Sequence, residues 1–392
     1  MRVLIVGVST RAAAASAAQA GFEVIALDAY ADIDQHASVR ALSLPRDFGT
    51  SFSPAAIVEA ARELSSDAVV YLSSLENHPK SVAALAEGRA LWGNAPDVLR
   101  RVRDPKLVTH ALGLRGIRAP RVITTAQDVP LQSDVERWMI KPRISGGGHG
   151  VSLWHPNEPV PRSHYLQEFV DGVPGSVVFV AVAGRGVVLG TSRQLIGESA
   201  FGVSGFRYCG NILNIAVTKE STAAAVALVD AVTDAFPLIG VGAIDFIATD
   251  DGLHPVEVNP RWSASMELVE RARGISLFGL HADACARGVL PQLLEVSQQA
   301  VITRPSAPKD LRQSPAPGEA HGKAIVFARE DVVVGDTRGW LEDPSVRDVP
   351  RQGDHIATGQ PICTVFAVGS DEADCHARLV ERAERIYSEL RT

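Results

Sequence analysis

The sequence predicts an α/β fold that begins with a parallel, doubly wound sheet, and three observations lead there. Apolar runs at 3–9, 22–28 and 67–73 alternate with helical segments at 10–21 and 53–66, the spacing of a parallel sheet with crossover helices. A glycine-rich loop joins two short apolar runs within 138–154. Farther on, "VGAIDFIAT-DDG-LHPVEVNP" (241–260) sets two strand-length runs around a turn. At 392 residues the chain exceeds one typical core and is expected to divide into two or three domains.

The first run, "VLIVGVS" (3–9), reads as a buried strand. An Ala-rich helix follows it, stopped by Gly21, and then the strand "FEVIALD" (22–28). Asp28 ends that strand, where a dinucleotide fold keeps its ribose acid. The intervening turn, Gly7-Val8-Ser9-Thr10-Arg11-Ala12, lacks the second and third glycines of G-x-G-x-x-G, so its backbone cannot closely approach a pyrophosphate. These residues therefore read as a Rossmann-like domain without a dinucleotide, with an NAD site as the alternative. Glu76 and Asn77 follow the strand "DAVVYLS" (67–73) at the end where open α/β sheets bind ligands. They either bind substrate or cap a helix.

In "VRDPKLVTHALGLRGIRAP" (102–120), Asp104 is suited to an N-cap and Pro105 to the first helical position. Lys106 then falls in the first turn, where it opposes the helix dipole unless an anion is bound nearby. "WMIKPRISGGGHGVSLW" (138–154) has neither the G-K-[ST] nor the following helix of a Walker loop. It reads as a hairpin whose loop, Ser145, Gly146, Gly147, Gly148 and Gly150, can form an anion-binding concavity of backbone N–H groups. Lys141 lies just before it and can reach the same anion. The alternative is a plain surface hairpin. "HYLQEFVDGVPGSVVFVAV" (164–182) gives strand, turn and strand, and the middle of "QEFVD" offers a carbonyl and an amide side by side.

The run around 250–252 ends in glycine, as a type I turn closed by a G1 bulge requires. If Thr249 faces Leu253, Asp245 lies directly opposite Glu257, and Asn259 shares the face of Glu257. Facing carboxylates on apolar strands need a cation or a proton. Oxygen-only donors suit a hard ion such as Mg²⁺. The alternatives are a protonated acid pair, or ion pairs with arginines such as Arg261.

Composition narrows the partners. With 46% hydrophobic and 21% charged residues and a net charge of −7, the chain is not expected to bind nucleic acid or anionic membrane in a general way. Cys209, Cys285, Cys363 and Cys375 form no zinc or C-x-x-C pattern and read as buried thiols of a reducing compartment. Glycine and a polar turn arrive too early in "MRVLIVGVS" for a signal peptide, and no run is long enough to span a bilayer. A cytoplasmic location is expected.

The order of Lys106 in "DPK", Lys141 in "IKP", the "SGGGHG" loop, "QEFVDG" and "DF…VEVNPR" resembles that of the ATP-grasp enzymes over about residues 1–295. The resemblance implies a Rossmann-like preATP-grasp domain (1–106), a mobile lid (107–177), a catalytic subdomain (178–300), a Pro-rich linker (301–320) and a C-terminal β-rich module with a closing helix (321–392). It implies ATP as cofactor, with Lys106 and Lys141 on its phosphates under the glycine loop. Glu168, Phe169 and Val170 would recognise adenine through backbone groups, and Asp171 or Ser176 the ribose. Asp245, Glu257 and Asn259 would carry one or two Mg²⁺, for which Mn²⁺ is an allowed substitute. Arg261 would hold the transferring phosphoryl group. Arg193 would contact that group or the substrate carboxylate, or form a structural ion pair.

The resemblance further implies an amide-forming ligase that joins a small-molecule carboxylate and amine through an acylphosphate. The branch of amino-acid ligases that includes tyramine–glutamate ligase, in cofactor biosynthesis, is one such case. Homodimerisation is left open. The alternatives are an ATP-grasp carboxylase component or phosphotransferase, a nucleotide-binding regulatory protein, and a Rossmann dehydrogenase. After 295 the chain departs from the family's minimal pattern, and no M-K-M-type biotin attachment sequence is present.

Overall fold

The computed structural model describes all residues except 126–127, 130–136, 157, 215–218, 297–298, 304–318 and 391–392. The expected linker at 301–320 therefore falls largely outside the described residues. The opening segment folds as a five-stranded parallel sheet in the order Val39–Ser43, Glu23–Asp28, Arg2–Val6, Ala68–Tyr71, Ala90–Leu91. Its strands are continuous apolar runs because both faces are covered. Leu4, Val6, Ile25 and Leu27 pack with Ile57 and Leu75 on one face. Val3, Ile5, Val24 and Ala26 pack on the other with Ala13 and Ala17 of the helix Arg11–Gln19.

A four-stranded antiparallel sheet follows, ordered Val122–Ile123, His164–Glu168, Trp138–Pro142, Ser152–Trp154. It has its own small core around Trp138 and Leu166. The third unit is an eight-stranded antiparallel sheet. Its order is Gly252–Asn259, Gly240–Thr249, Val173–Val182, Arg185–Ile196, Tyr208–Asn214, Ala320–Phe327, Pro361–Gly369, Val346–Arg347. Alternation along Val173–Val182 sends Val177 and Phe179 toward Leu228 and Val232 of the helix Lys219–Ala235. Val178 and Val180 face Met266 and Val269 of the helix Ala264–Arg273.

One expected boundary is crossed by a strand. Val173–Val182 belongs wholly to the large sheet and so crosses the expected lid boundary at 177. The C-terminal segment is β-rich as expected; Ala320–Phe327, Pro361–Gly369 and Val346–Arg347 extend the central sheet, and Val332–Val333 pairs with His355–Ile356 as a separate two-stranded sheet. Tyr208–Asn214 pairs directly with Ala320–Phe327, and a Cβ on Gly210 would meet the Lys323 carbonyl at 2.2 Å, so the two backbones meet there. The closing helix Glu372–Leu390 buries Cys375, Leu379, Ala383, Ile386 and Tyr387 on this extension. All four cysteines are free thiols, three of them buried. Among the described residues no helix is long and apolar enough to cross a membrane.

The units are joined by a buried charge network. Arg11, 3% exposed, donates through Nη2 to both oxygens of Glu267 (2.8 Å each) and through Nε to Asp348 Oδ1 (2.7 Å). Lys323 Nζ donates to Glu267 Oε2 (2.8 Å). Burial pushes the Glu267 carboxyl up, but Arg11, Lys323 and Arg271 outweigh it and hold it well below the usual carboxylate range. Glu267→Gln strands these buried cations and should cost about 3–5 kcal/mol at neutral pH. Because the folded pKa is depressed, the carboxylate's contribution is complete above the unfolded pKa and is lost as pH falls toward the folded value. Chemical denaturation of both proteins across pH should therefore show the gap closing on acidification.

Candidate active site

The apolar pair Gly240–Thr249 and Gly252–Asn259 places Asp245 directly opposite Glu257 and Asn259 opposite Ala243. The turn is shorter than expected, with Thr249 paired to Gly252 around Asp250 and Asp251. A bulge between Asp245 and Phe246 restores the register, because Phe246 pairs with Pro255 and Val256 is the extra residue. The facing carboxylates therefore arise from a two-residue turn plus a bulge, not from a three-residue loop.

Directly paired residues share a face, which extends the polar row across the sheet. Ser176 pairs with both Asp245 and Ser192, and Gln194, two residues past Ser192, pairs with Asn211. Asp245 accepts from Gln194 Nε2 and Asn259 Nδ2, both at 2.9 Å, and from the Ser176 side chain. Burial, reinforced by the Glu257 charge, pushes the Asp245 carboxyl from 3.8 up to about 6. Burial also pushes Glu257 up, but Arg103, Lys141 and Arg261 outweigh it, so its pKa lies below the usual value. Arg103 Nη1 donates to Glu257 Oε1 at 2.6 Å and to the Val258 carbonyl at 3.0 Å.

Two further cations close on this row. Lys141 Nζ donates to Gln167 Oε1 (2.9 Å), and Gln167 Nε2 to the Val256 carbonyl (3.3 Å), so the small sheet touches the large one here. Arg261 is held by Glu76 Oε1 (3.0 and 2.7 Å) and by Asn259 Oδ1 (3.1 Å). The other oxygen, Glu76 Oε2, is buried with no hydrogen-bond partner among the described residues. Asn77 accepts from Arg103 Nε (3.1 Å) and donates to the Ser145 carbonyl (3.3 Å). Glu76 and Asn77 thus lie in a 3₁₀ turn that touches the site, and neither is an α-helix cap.

Lys106 sits in the first turn of Pro105–Gly113, where Asp104 accepts from its N–H, and its exposed Nζ donates to Thr124 Oγ1 (3.2 Å). The glycine loop is docked. The Gly147 carbonyl accepts from Tyr208 N (3.1 Å), and Ser145 Oγ donates to the His149 carbonyl (2.6 Å). Gly147, Gly148 and Gly150 have φ of 61°, 75° and 69°, and Gly146 lies between Ser145 and this left-handed stretch. A Cβ on Gly148 would lie 1.9 Å from the Phe206 carbonyl, so only glycine permits this approach.

Several expected contacts are redistributed. Arg193 is turned to the opposite face from Gln194 and pairs with Glu372, which removes it from the carboxylate row. The N–H of Glu168 is given to the Arg121 carbonyl (2.9 Å) and that of Phe169 to the Arg137 carbonyl (3.0 Å). Val170 N–H makes no such bond among the described residues and is the donor left at the hinge. Asp171 is exposed and paired with Arg137 (3.3 Å), whereas Ser176 is buried beside Asp245 and away from the hinge. Asp28, considered as a ribose acid, accepts from Thr10 N and Oγ1, Tyr30 N and Ala31 N, so its oxygens are committed to the backbone. Arg103, Gln167 and Gln194 were not legible beforehand. Arg103 lies between two helices, and its partner is 154 residues away.

The donor set of Asp245, Glu257 and Asn259 is oxygen-only and suits a hard divalent ion. Asp245 is raised first by burial and then by the Glu257 charge, while the nearby cations act mainly on Glu257. Among the described residues no group of three or more His, Cys, Asp or Glu is placed to hold a metal, and the Asn259 amide oxygen accepts from Arg261. Since Asp245 holds its proton more tightly when folded, its share of stability falls as pH rises from about 4 through about 6. Carbon-13 NMR of the side-chain carboxyls should show this titration, and Glu257→Gln should move it down. An unmoved Asp245 would assign the shift to burial alone.

Residues 103–265 match the family model described as the ATP-grasp domain. Over 382 residues the chain is 20% identical to an uncharacterized protein of Methanocaldococcus jannaschii, covering 94% of this chain and 88% of that one. Among solved structures, the L-amino acid ligase of Bacillus licheniformis superposes with a TM-score of 0.68 at 15% identity, covering 98% and 97% of the two chains. The ADP complex of N5-carboxyaminoimidazole ribonucleotide synthetase gives 0.68 at 15%, covering 100% and 98%. A biotin carboxylase of Campylobacter jejuni gives 0.67 at 12%, covering 96% and 89%. Residues 103–265 thus match the ATP-grasp domain model, and the chain shares the fold of these solved structures along nearly its whole length.

Proposed function

We propose that this protein is an ATP-dependent ligase that joins a small-molecule carboxylate to an amine. The observation that carries the reading is the facing pair Asp245 and Glu257, ringed by Arg103, Lys141 and Arg261 at the contact between the small and large sheets. That surplus of cations around two acids suits a site built for a polyphosphate and its counter-ions. Mg²⁺, when bound, supplies charge neutralisation and orientation of the phosphates. Asp245, Glu257 and Asn259 are the residues that would hold it.

In this reading the substrate carboxylate attacks the γ-phosphorus of ATP, and the bond to the β-bridging oxygen breaks to release ADP. The amine then attacks the acyl carbon, phosphate leaves, and the amine loses a proton. No covalent protein group is needed, so the chain's work is positioning and charge. Lys141 and Lys106 oppose phosphate charge. Arg261, fixed from behind by Glu76, presents its remaining donor capacity to the transferring group. The docked glycine loop keeps water from the acylphosphate, and Val170 offers its N–H to the adenine edge.

Phosphate release should require Mg²⁺, ATP and both co-substrates, and a screen of carboxylate–amine pairs reads this directly. Lys141→Ala should weaken ATP binding by about 1.5–3 kcal/mol, the worth of a charge-assisted contact; unchanged affinity would remove Lys141 from the site. Glu257→Gln should abolish turnover while the folded protein persists. A fully active variant would remove the carboxylate pair from the chemistry.

A further inference from the structure

A cavity of about 650 Å³ lies between the parallel sheet and the C-terminal strands. Val8 and Ser73, just beyond the carboxyl ends of Arg2–Val6 and Ala68–Tyr71, form its floor. Trp262 and Ser263, the residues directly after Arg261, form one wall, and Ile325 and Ile356 line another. Open α/β sheets bind ligands outside these strand ends.

Most charged groups in the lining are already matched. Lys323 is given to Glu267, Asp348 to Arg11, and Arg46 to Asp354 (3.5 Å) and to the Ala31 carbonyl (3.0 Å). Asp32 is the exception. It lines the cavity at 9% exposure, and no hydrogen bond or ion pair reaches it from the described residues. Burial, and then the neighbouring Asp348, Asp28 and Asp34, push its carboxyl well above the usual range, against the opposing effect of Arg11. Arg11 is itself engaged by Glu267 and Asp348. Four residues earlier Asp28 has every acceptor filled by backbone and Thr10. One segment thus uses one acid to hold its own turn and leaves the next lining the cavity.

An isolated buried carboxylate is costly unless a cation reaches it. We infer that Asp32 receives the ammonium group of a small substrate whose apolar body fills the cavity between Trp262 and Ile325. Calling that molecule a substrate rests on the ligase reading; the binding itself does not. An ammonium held by a carboxylate keeps its proton and is no nucleophile. It is a recognition handle, with the substrate's other end directed along Trp262 and Ser263 toward Arg261. A metal ion suits the place poorly, because the other lining carboxylates, Asp348 and Asp354, are committed to Arg11 and Arg46.

The test uses the full chain without nucleotide and a calorimetric panel of primary amines, each with its hydroxyl twin. The panel comprises phenethylamine and phenethyl alcohol, hexylamine and hexanol, and aliphatic and aromatic amino acids with their 2-hydroxy acids. At least one amine should bind about tenfold or more tightly than its twin, as expected when a buried charge loses its only partner. Asp32→Asn should erase that preference and leave binding of a non-hydrolysable Mg²⁺-ATP analogue unchanged. Its unliganded melting midpoint should stay or rise, since no partner is lost and repulsion from Asp348 is relieved. A lowered midpoint would make Asp32 structural and overturn the inference. Equal binding of twins, binding of none of the amines, or a preference that survives Asp32→Asn would do the same. Amine preference with no nucleotide binding would instead sink the ligase reading alone.

Discussion

Glu267 is where three distant stretches of chain are forced to meet. Arg11 comes to it from the first helix and Lys323 from the C-terminal extension of the central sheet, while Glu267 itself rides on the helix Ala264–Arg273. In a poorly polarisable interior each of these charges is tolerable only while the others stay in place. The network therefore fixes relative position more than it adds stability. It also fixes Arg261, three residues before that helix, which Glu76 grips from the parallel sheet's side. The cavity lies against the same network, with Lys323 and Asp348 in its wall.

The second constraint is strand register. A one-residue slip in Gly252–Asn259 would turn Glu257 and Asn259 to the opposite face and separate them from Asp245. The structure holds the register with a bulge beside Pro255, in a strand at the sheet's edge. Proline donates no ladder hydrogen bond, so an edge strand next to a bulge is where it costs least. The two carboxylates then face each other, both half-buried. Their unequal ionisation follows from their neighbours, since Arg103 and Lys141 attend Glu257 while Asp245 has mainly amide and hydroxyl donors.

The small sheet meets this row through few and mostly polar contacts. Lys141 and Gln167 reach the large sheet's edge, Asn77 holds the Ser145 carbonyl, and the glycine loop rests on Phe206 and Tyr208. Its own core around Trp138 and Leu166 is separate from those of the other units. Among the described residues the seam between the two sheets is thus made mainly by polar groups.

Local sequence determined the elements and much of the site's chemistry. Uninterrupted apolar runs fixed the parallel strands, the Asp-Pro pair fixed the start of the helix bearing Lys106, and the glycines fixed a loop with left-handed backbone. The acid–acid pairing of 245 with 257 was legible because strand period and turn position are local properties, although the turn proved shorter and a bulge made up the difference. Tertiary structure alone decided which charges meet. Arg193 went to Glu372, Ser176 to Asp245, and the unannounced Arg103 to Glu257. Only the folded chain shows that Asp28 is satisfied and Asp32 is not. The reason is physical. Backbone preferences act over a few residues, whereas an ion pair depends on what lies within a few ångströms in space, and here the partners are separated by 154, 179 or 256 positions of chain.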